Sequence, residues 1–323
     1  MLTSKPKLPK TPSLSKRYLI LTADDFGASK NINEGIKFAV ENKAITSISV
    51  LSNFTASLPD LKEISEKHQY IGIGVHLNIV TGKPILGVEH IPSLVGSNGN
   101  FYTLEEVLPR IDSISLDELR KELRAQVLVF KKYGIKIDNL SDQNGVLSVY
   151  RPFFDIVTEL AEEFNLPIRS PIIAGIKFPE LFSNSNMAKR GRQLALKLAT
   201  TAPLKALRLK KYFRIEEMER KAQKLDELGI LHPDLFVEGF WGDPTASNLL
   251  RIIEHLPKGV SEIVFHFGSY VRQENYPSGL DLNYFKNREY ELITATSDYL
   301  KKYINYLSIS TINFSQLLVL KKK

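Results

Sequence analysis

Apolar positions along the chain alternate between compact runs and longer periodic stretches. Tyr18-Leu19-Ile20-Leu21 is a run of strand length, and Ile32, Gly35, Ile36, Ala39 and Val40 then recur at the spacing of one buried helix face. The pair repeats. Ile45 to Leu51 is β-branched and alternating and precedes a helical stretch from Leu58 to Lys67, and Tyr70 to Asn78 predicts a third strand whose glycines admit a close neighbour. The connection from Thr81 to Leu104 exceeds an ordinary loop and reads as a functional flap. Leu116 to Lys132 is strongly amphipathic and ends at Tyr133-Gly134, with Gly134 as the left-handed stop. Ile135 to Leu140 predicts a fourth strand, Pro152 to Glu163 a helix, and Pro167 to Pro171 a short fifth strand. A helix over Ile215 to Leu228, a sixth strand over Asp234 to Phe240 and a helix ending at His255 follow. Ser261 to His266 is the seventh strand, Asn287 to Tyr303 a helix, and Leu307 to Phe314 an eighth strand before a short final helix.

Strands alternating with helices throughout predict an α/β protein with a parallel sheet, and about eight such units fit a (β/α) barrel, a distorted TIM-like one with helical and loop insertions. An open doubly wound sheet is the second arrangement that fits. Residues 1–16 read as a disordered basic tail and 17–323 as one domain, with insertions near 79–115 and 172–225. No G-x-G-x-x-G follows a strand and no P-loop is present, so neither dinucleotide nor nucleoside-triphosphate binding is supported.

Composition narrows the chemistry. In 323 residues, 43% hydrophobic content supplies a substantial core, and the absence of cysteine removes disulfides, thiolate nucleophiles and sulfur-ligated zinc. No apolar run reaches the length of a bilayer span, and the stretch from Met1 to Arg17 lacks the apolar middle of a signal peptide, so the expected location is cytoplasmic. The net charge of +7 is unevenly spread: Lys189, Arg190, Arg192, Lys197, Lys205, Arg208, Lys210, Lys211 and Arg214 occur without an acid between Met187 and Arg214. Leucines interleave them. Such a segment fits an anionic substrate, nucleic acid or an anionic membrane surface; the simpler reading, preferred here, is a solvated face whose apolar side packs on the body. No nucleic-acid module is recognisable, and the sequence leaves a homodimer open.

Polar residues gather where the predicted strands end. Asp24 and Asp25, His76, Asp142 with Gln143, Arg169, Trp241 with Asp243, and His266 all lie at or just past C-terminal strand ends, which in a parallel barrel converge on one face. Adjacent carboxylates repel, so the Asp24-Asp25 pair implies either a helix start capped by Asp25 or Ser29, or a metal ligand beside a general base. His68, His90, His232 and His255 fall on predicted loops or helix ends and read as structural. Oxygen and imidazole donors without sulfur suit Mg, Zn, Mn, Co or Ni, and such an ion would polarise a carbonyl while lowering the pKa of its water towards about 7. Amide or ester hydrolysis follows from that. Trp241, Tyr102 and Phe101 are candidate platforms for a sugar ring, or simply core aromatics.

Five ordered motifs give these residues a family context: Leu21-Thr22-Ala23-Asp24-Asp25-Phe26-Gly27 with Asn33-Glu34-Gly35-Ile36, Gly74-Val75-His76-Leu77-Asn78, Leu166-Pro167-Ile168-Arg169-Ser170-Pro171, Glu262-Ile263-Val264-Phe265-His266-Phe267-Gly268, and Arg288-Glu289-Tyr290-Glu291-Leu292 with Ile312-Asn313-Phe314. With these the chain resembles the YdjC-like carbohydrate deacetylases over nearly its whole length after the tail. The resemblance implies a distorted barrel, one divalent metal ion and removal of an N-acetyl group from an amino sugar or glycoconjugate. It implies Asp25 and His76 as metal ligands, Asp24 as the base that activates water, and His266 as the acid that protonates the leaving amine. Arg169, Trp241 and Asp142 are the expected substrate contacts. One position departs from the family pattern: the histidine expected after the fourth strand is Gln143, a neutral and weaker ligand, with Asp142 as the available substitute. The proline expected after the last histidine is Phe267. The alternative expectation is therefore a metal-poor homologue that binds a sugar without turning it over.

Overall fold

Seven strands, all paired in parallel, are found among residues 16–182, 186–238, 243–269 and 282–321, the parts of the chain that the computed structural model describes. They are β1 (Arg17–Phe26), β2 (Ser47–Val50), β3 (Gly72–Leu77), β4 (Asn139–Asp142), β5 (Leu235–Val237), β6 (Gly259–Phe265) and β7 (Ser310–Thr311). The sheet runs β4-β3-β2-β1-β6-β5, with β7 beside Tyr18 and Leu19 of β1. Every residue of β3 and β6 is buried, as parallel strands covered on both faces require. This architecture is a distorted (β/α) barrel.

The fifth expected strand turns out to be the piece that joins the sheet's two ends. Residues 167–173 form no ladder, but Ile168 bridges Leu140 of β4 and Ile173 bridges Phe236 of β5. The Leu140 N–H donates to Pro167 O at 2.8 Å, the Arg169 N–H to Leu140 O at 2.8 Å, and the Phe236 N–H to Ile172 O at 2.9 Å. Pro167 and Pro171 have no N–H to give, which reduces this segment from a strand to a pair of bridges. Arg169 sits at the centre of the closure.

Helices cover the barrel where the periodicity places them. The helix α1 (Lys30–Glu41) buries Ile32, Gly35, Ile36, Ala39 and Val40, and its cap is Ser29, whose hydroxyl accepts from the Ile32 N–H at 3.3 Å; Asp25 takes no part in it. A Cβ on Gly35 would lie 2.9 Å from the Gly268 nitrogen, so only glycine lets α1 lie against the chain leaving β6. The helices α2 (Leu58–Lys67), α3 (Leu116–Lys132), α4 (Arg151–Phe164), α5 (Asn186–Thr201), α6 (Pro203–Leu209), α7 (Ile215–Leu228), α8 (Ala246–Glu254), α9 (Leu282–Thr296) and α10 (Asp298–Tyr306) complete the layer. The single helix expected over Asn287 to Tyr303 is two, because Ser297 is extended and caps α10. The eighth expected strand shrinks to β7, since Asn313 caps a short turn over Phe314–Gln316.

The flap expected over Thr81 to Leu104 is packed down. Both carboxylate oxygens of Glu122 accept backbone N–H groups, from Ile85 and Leu86, at 2.9 Å, and Ile91 and Leu94 are core residues. Phe101 is buried in the same core and Tyr102 lies under the Arg110 guanidinium, so neither is a sugar platform. Residues 1–15 of the expected tail, and Trp241, lie outside the described residues.

Candidate active site

The acid pair owes its geometry to a bulge. Ala23 of β1 faces Ile48 of β2, yet Phe26 faces Val50, so β1 spends one more residue than its neighbour across Asp24 and Asp25. In a regular strand adjacent side chains point to opposite faces. Here Asp25 adopts φ +74°, the left-handed region, at a cost of about 1 kcal/mol for a residue with a Cβ. As a result both carboxylates reach one buried site, with Asp24 Oδ2 and Asp25 Oδ1 at 3.8 and 4.0 Å from His76 Nε2.

Asp24 is clamped. Arg169 donates from Nη1 and Nη2 to its two oxygens at 2.8 Å, and turns Nε and Nη2 to Glu262 of β6 at 2.9 to 3.2 Å. The guanidinium lies 4.6 Å from the Phe236 ring centre. Burial alone would raise the Asp24 carboxyl, but Arg169 and the nearby His76 outweigh it and hold it below the usual carboxylate range.

Asp25 is held differently. Arg288 of α9 donates to its Oδ2 at 2.7 Å, and the Gln143 amide nitrogen donates to Oδ1 at 3.1 Å. The Gln143 carbonyl oxygen accepts from His76 Nε2 at 3.0 Å, so this one amide spans the imidazole and the carboxylate. With Nε2 as donor, the neutral imidazole accepts at Nδ1 from one of the Ser49 and Ser141 hydroxyls, which lie at 3.1 and 2.9 Å and are hydrogen-bonded to each other. Burial would raise the Asp25 carboxyl as well, but Arg288, His266 and His76 outweigh it and hold it well below the usual carboxylate range.

His266 follows β6, where its backbone N–H donates to Glu291 Oε2 at 2.7 Å. Burial lowers its imidazole to about 4, against the pull of Asp25, and raises the Glu291 carboxyl to about 8. Asp24, Asp25, His76, Asp142, Gln143, Arg169, His266 and Arg288 all line one cavity of about 350 Å³. Seven of these eight were expected at the site from their places at strand ends or loops. Asp142, however, spends its oxygens on the turn that follows, accepting from the Leu147 and Ser148 N–H groups at 2.9 and 3.0 Å, so it does not replace the missing histidine. Asp243 is exposed and lies just before α8, where its carboxylate accepts from the hydroxyl of Thr245, the N-cap, and its backbone carbonyl from the Asn248 amide.

The sequence reading gave no role to four contributors, three of them members of motifs it quotes. Glu262 is a charged residue inside a strand buried on both faces, a signal in itself. Arg288 and Glu291 come from one face of a helix, away from any strand end. Glu238 follows β5 directly, as His266 follows β6; extending the sixth strand to Phe240 places the rim three residues late. Glu238 lines the cavity and has no hydrogen bond or ion pair among the described residues; burial raises its carboxyl to about 7, with Arg169 opposing and Asp142 adding. Lys221 of α7 lines the same cavity and donates to the Ser148 and Val149 carbonyls at 2.6 Å, and burial lowers its ammonium to about 8.

The donor set decides which ion the site suits. Among the described residues no three His, Cys, Asp or Glu side chains are arranged to hold a metal. Asp25, His76 and the Gln143 carbonyl offer one carboxylate, one imidazole and one amide oxygen, which is one strong ligand short of a catalytic zinc site. A hard ion that keeps most of its water, such as Mg²⁺, asks for no more. The charges agree: among the described residues the carboxylates of Asp24, Asp25 and Glu262 pair with two guanidiniums.

Comparison with known proteins gives a consistent picture. The profile of the YdjC-like protein family matches residues 18–306. A carbohydrate deacetylase from Brevibacillus brevis is 27% identical over 307 residues, covering 93% of this chain and 99% of that protein. A chitooligosaccharide deacetylase from Proteus mirabilis is 31% identical over 152 residues, 47% of this chain and 58% of its own. In fold, the chain is similar to a crystal structure from Enterococcus faecalis, provisionally described as a cellobiose-phosphate cleavage protein, with a TM-score of 0.73 at 22% identity, covering 94% of this chain and 99% of that one.

Proposed function

This chain belongs to the YdjC-like protein family, and from that premise we propose that it is a carbohydrate deacetylase, a hydrolase that splits the acetyl amide of an amino sugar or glycoconjugate into acetate and a free amine. The observation that carries this reading is the meeting of Asp24, Asp25, His76 and His266 in one cavity, with the two carboxylates held apart by separate guanidiniums. A buried anion with both oxygens fixed by Arg169 is a base that cannot rotate away from an attacking water. Asp24 takes a proton from the attacking water, and His266, neutral in the resting site, relays that proton to the leaving nitrogen as the C–N bond breaks, so that acetate and a free amine result. Arg288 keeps Asp25 ionised, and Glu291 fixes the backbone from which His266 projects. A divalent ion replacing the His76–Gln143 hydrogen bond, held by Asp25, by His76 Nε2 with its proton moved to Nδ1, and by the Gln143 carbonyl, would polarise the acetyl carbonyl and acidify bound water.

The test separates binding from turnover. Asp24→Asn keeps the shape of the clamp while removing the base, so acetate release should fall by about 10²–10⁴-fold with sugar affinity little changed; unchanged release would remove Asp24 from that role. One observation favours a second reading. The Gln143 amide already joins His76 to Asp25, so a homologue that binds acetylated sugar and never releases acetate is the alternative. Saturable sugar binding with no acetate, whichever divalent ion is supplied, would decide for it.

A further inference from the structure

The basic segment between β5 and the closure of the barrel does not bury its apolar side as its sequence periodicity suggests. Leu198 and Leu209 do pack inward, and Lys205 anchors the hairpin by donating to Pro109 O at 2.5 Å and pairing with Asp112 at 3.4 Å. Tyr212 adds an edge-on contact with Tyr150. Yet Leu196 of α5 and Leu204 and Leu207 of α6 are 68%, 76% and 71% exposed, and Phe213 just beyond is half exposed. Around them Lys189, Arg192, Lys197, Arg208, Lys210, Lys211 and Arg214 are exposed, and none has an acidic partner among the described residues. The hairpin therefore turns large apolar side chains and unpaired cations outward together, from a scaffold anchored on its other side.

We propose that α5, α6 and the turn after them dock on an anionic lipid surface, with Leu196, Leu204, Leu207 and Phe213 entering the interface and the surrounding Lys and Arg residues meeting lipid head groups. Charge complementarity selects this occupant. A second copy of the chain would set the same acid-free surface against itself, and a nucleic acid would satisfy the cations while leaving the leucines in water. Lipid satisfies both, since basic side chains reach the head groups while apolar ones sink to the acyl boundary. No helix among the described residues is long and apolar enough to cross a membrane, so the contact is peripheral.

The experiment sediments the full chain with vesicles of pure phosphatidylcholine and of phosphatidylcholine with about 30% phosphatidylglycerol, at about 0.1 M and 0.5 M salt. Binding to the anionic vesicles at low salt, with release at high salt, is expected. Leu204→Gln with Leu207→Gln, both at exposed positions, should weaken it about tenfold or more, and each of Lys197→Glu and Arg208→Glu by about fivefold or more. Circular dichroism checks that these variants stay folded. Absence of binding at low salt, or equal binding to both vesicles, overturns the proposal. So does a concentration-dependent dimer in light scattering that the leucine variants abolish, which would make the face a self-association surface.

Discussion

Asp24 and Asp25 are neighbours in the chain, equally buried, and held by opposite strategies. Every group bound to Asp24 is charged and locked: Arg169 takes both oxygens and is itself held by Glu262 and Phe236. Asp25 shares its oxygens between a guanidinium and a neutral amide. A charge pair of the first kind is costly to break, because each remaining partner is stranded in a low-dielectric site. An amide bridge of the second kind can be exchanged for water, a cation or a substrate group at little cost. The site thus has a fixed side, where orientation is kept, and an adaptable side, where something can be bound.

Breaking the fixed side should have the largest effect. Arg169→Ala leaves Asp24 and Glu262 buried without a counter-charge, and urea unfolding should show a loss of about 3–5 kcal/mol. Arg288→Ala should cost less, about 2 kcal/mol, because Asp25 keeps its Gln143 bond; equal losses would erase the distinction. Gln143→His sharpens the other side. It would add the imidazole the donor set lacks, and calorimetric titration should show divalent-metal affinity rising by at least the 10–100-fold that an outer-shell partner is worth. An unchanged affinity would mean that Gln143 does not face the bound ion.

The most conditional effect, seen only as pH rises, concerns Glu238, an acid that feels the same Arg169 without touching it. Its carboxyl is raised to about 7 from an ordinary 4.5. The folded chain therefore keeps a proton that the unfolded chain has released between those values, and stability from this group falls as pH rises through that window. Glu238→Gln removes that slope, so the variant should gain about 1–3 kcal/mol on wild type between pH 5 and pH 8. Parallel pH profiles would contradict the burial argument.

Much of this site was legible because barrels put chemistry at strand ends. Asp24, Asp25, His76, Gln143, Arg169 and His266 all stand there, and periodicity placed α3 and α7 at their observed bounds. What escaped reading did so for identifiable reasons. Prolines reduced the fifth strand to two bridges, which no propensity distinguishes from a short strand. Arg288 and Glu291 act across 263 and 25 residues of sequence, on Asp25 and on the His266 backbone. The bulge that lets two adjacent acids share a site rests on a left-handed Asp25, a conformation the sequence does not announce. The exposed leucines of the basic hairpin are apolar at the right period, and only their accessibility separates an inward face from an outward one.

The most direct measurement is acetate release from a panel of N-acetylated amino sugars and their short oligomers by the intact chain, with and without added Mg²⁺, Mn²⁺ or Zn²⁺. The deacetylase reading predicts one free amine for each acetate from at least one substrate, with Mg²⁺ or Mn²⁺ more effective than Zn²⁺ because the donor set lacks a third strong ligand. Acetylated sugars that bind in the cavity and return unchanged under every condition would contradict it.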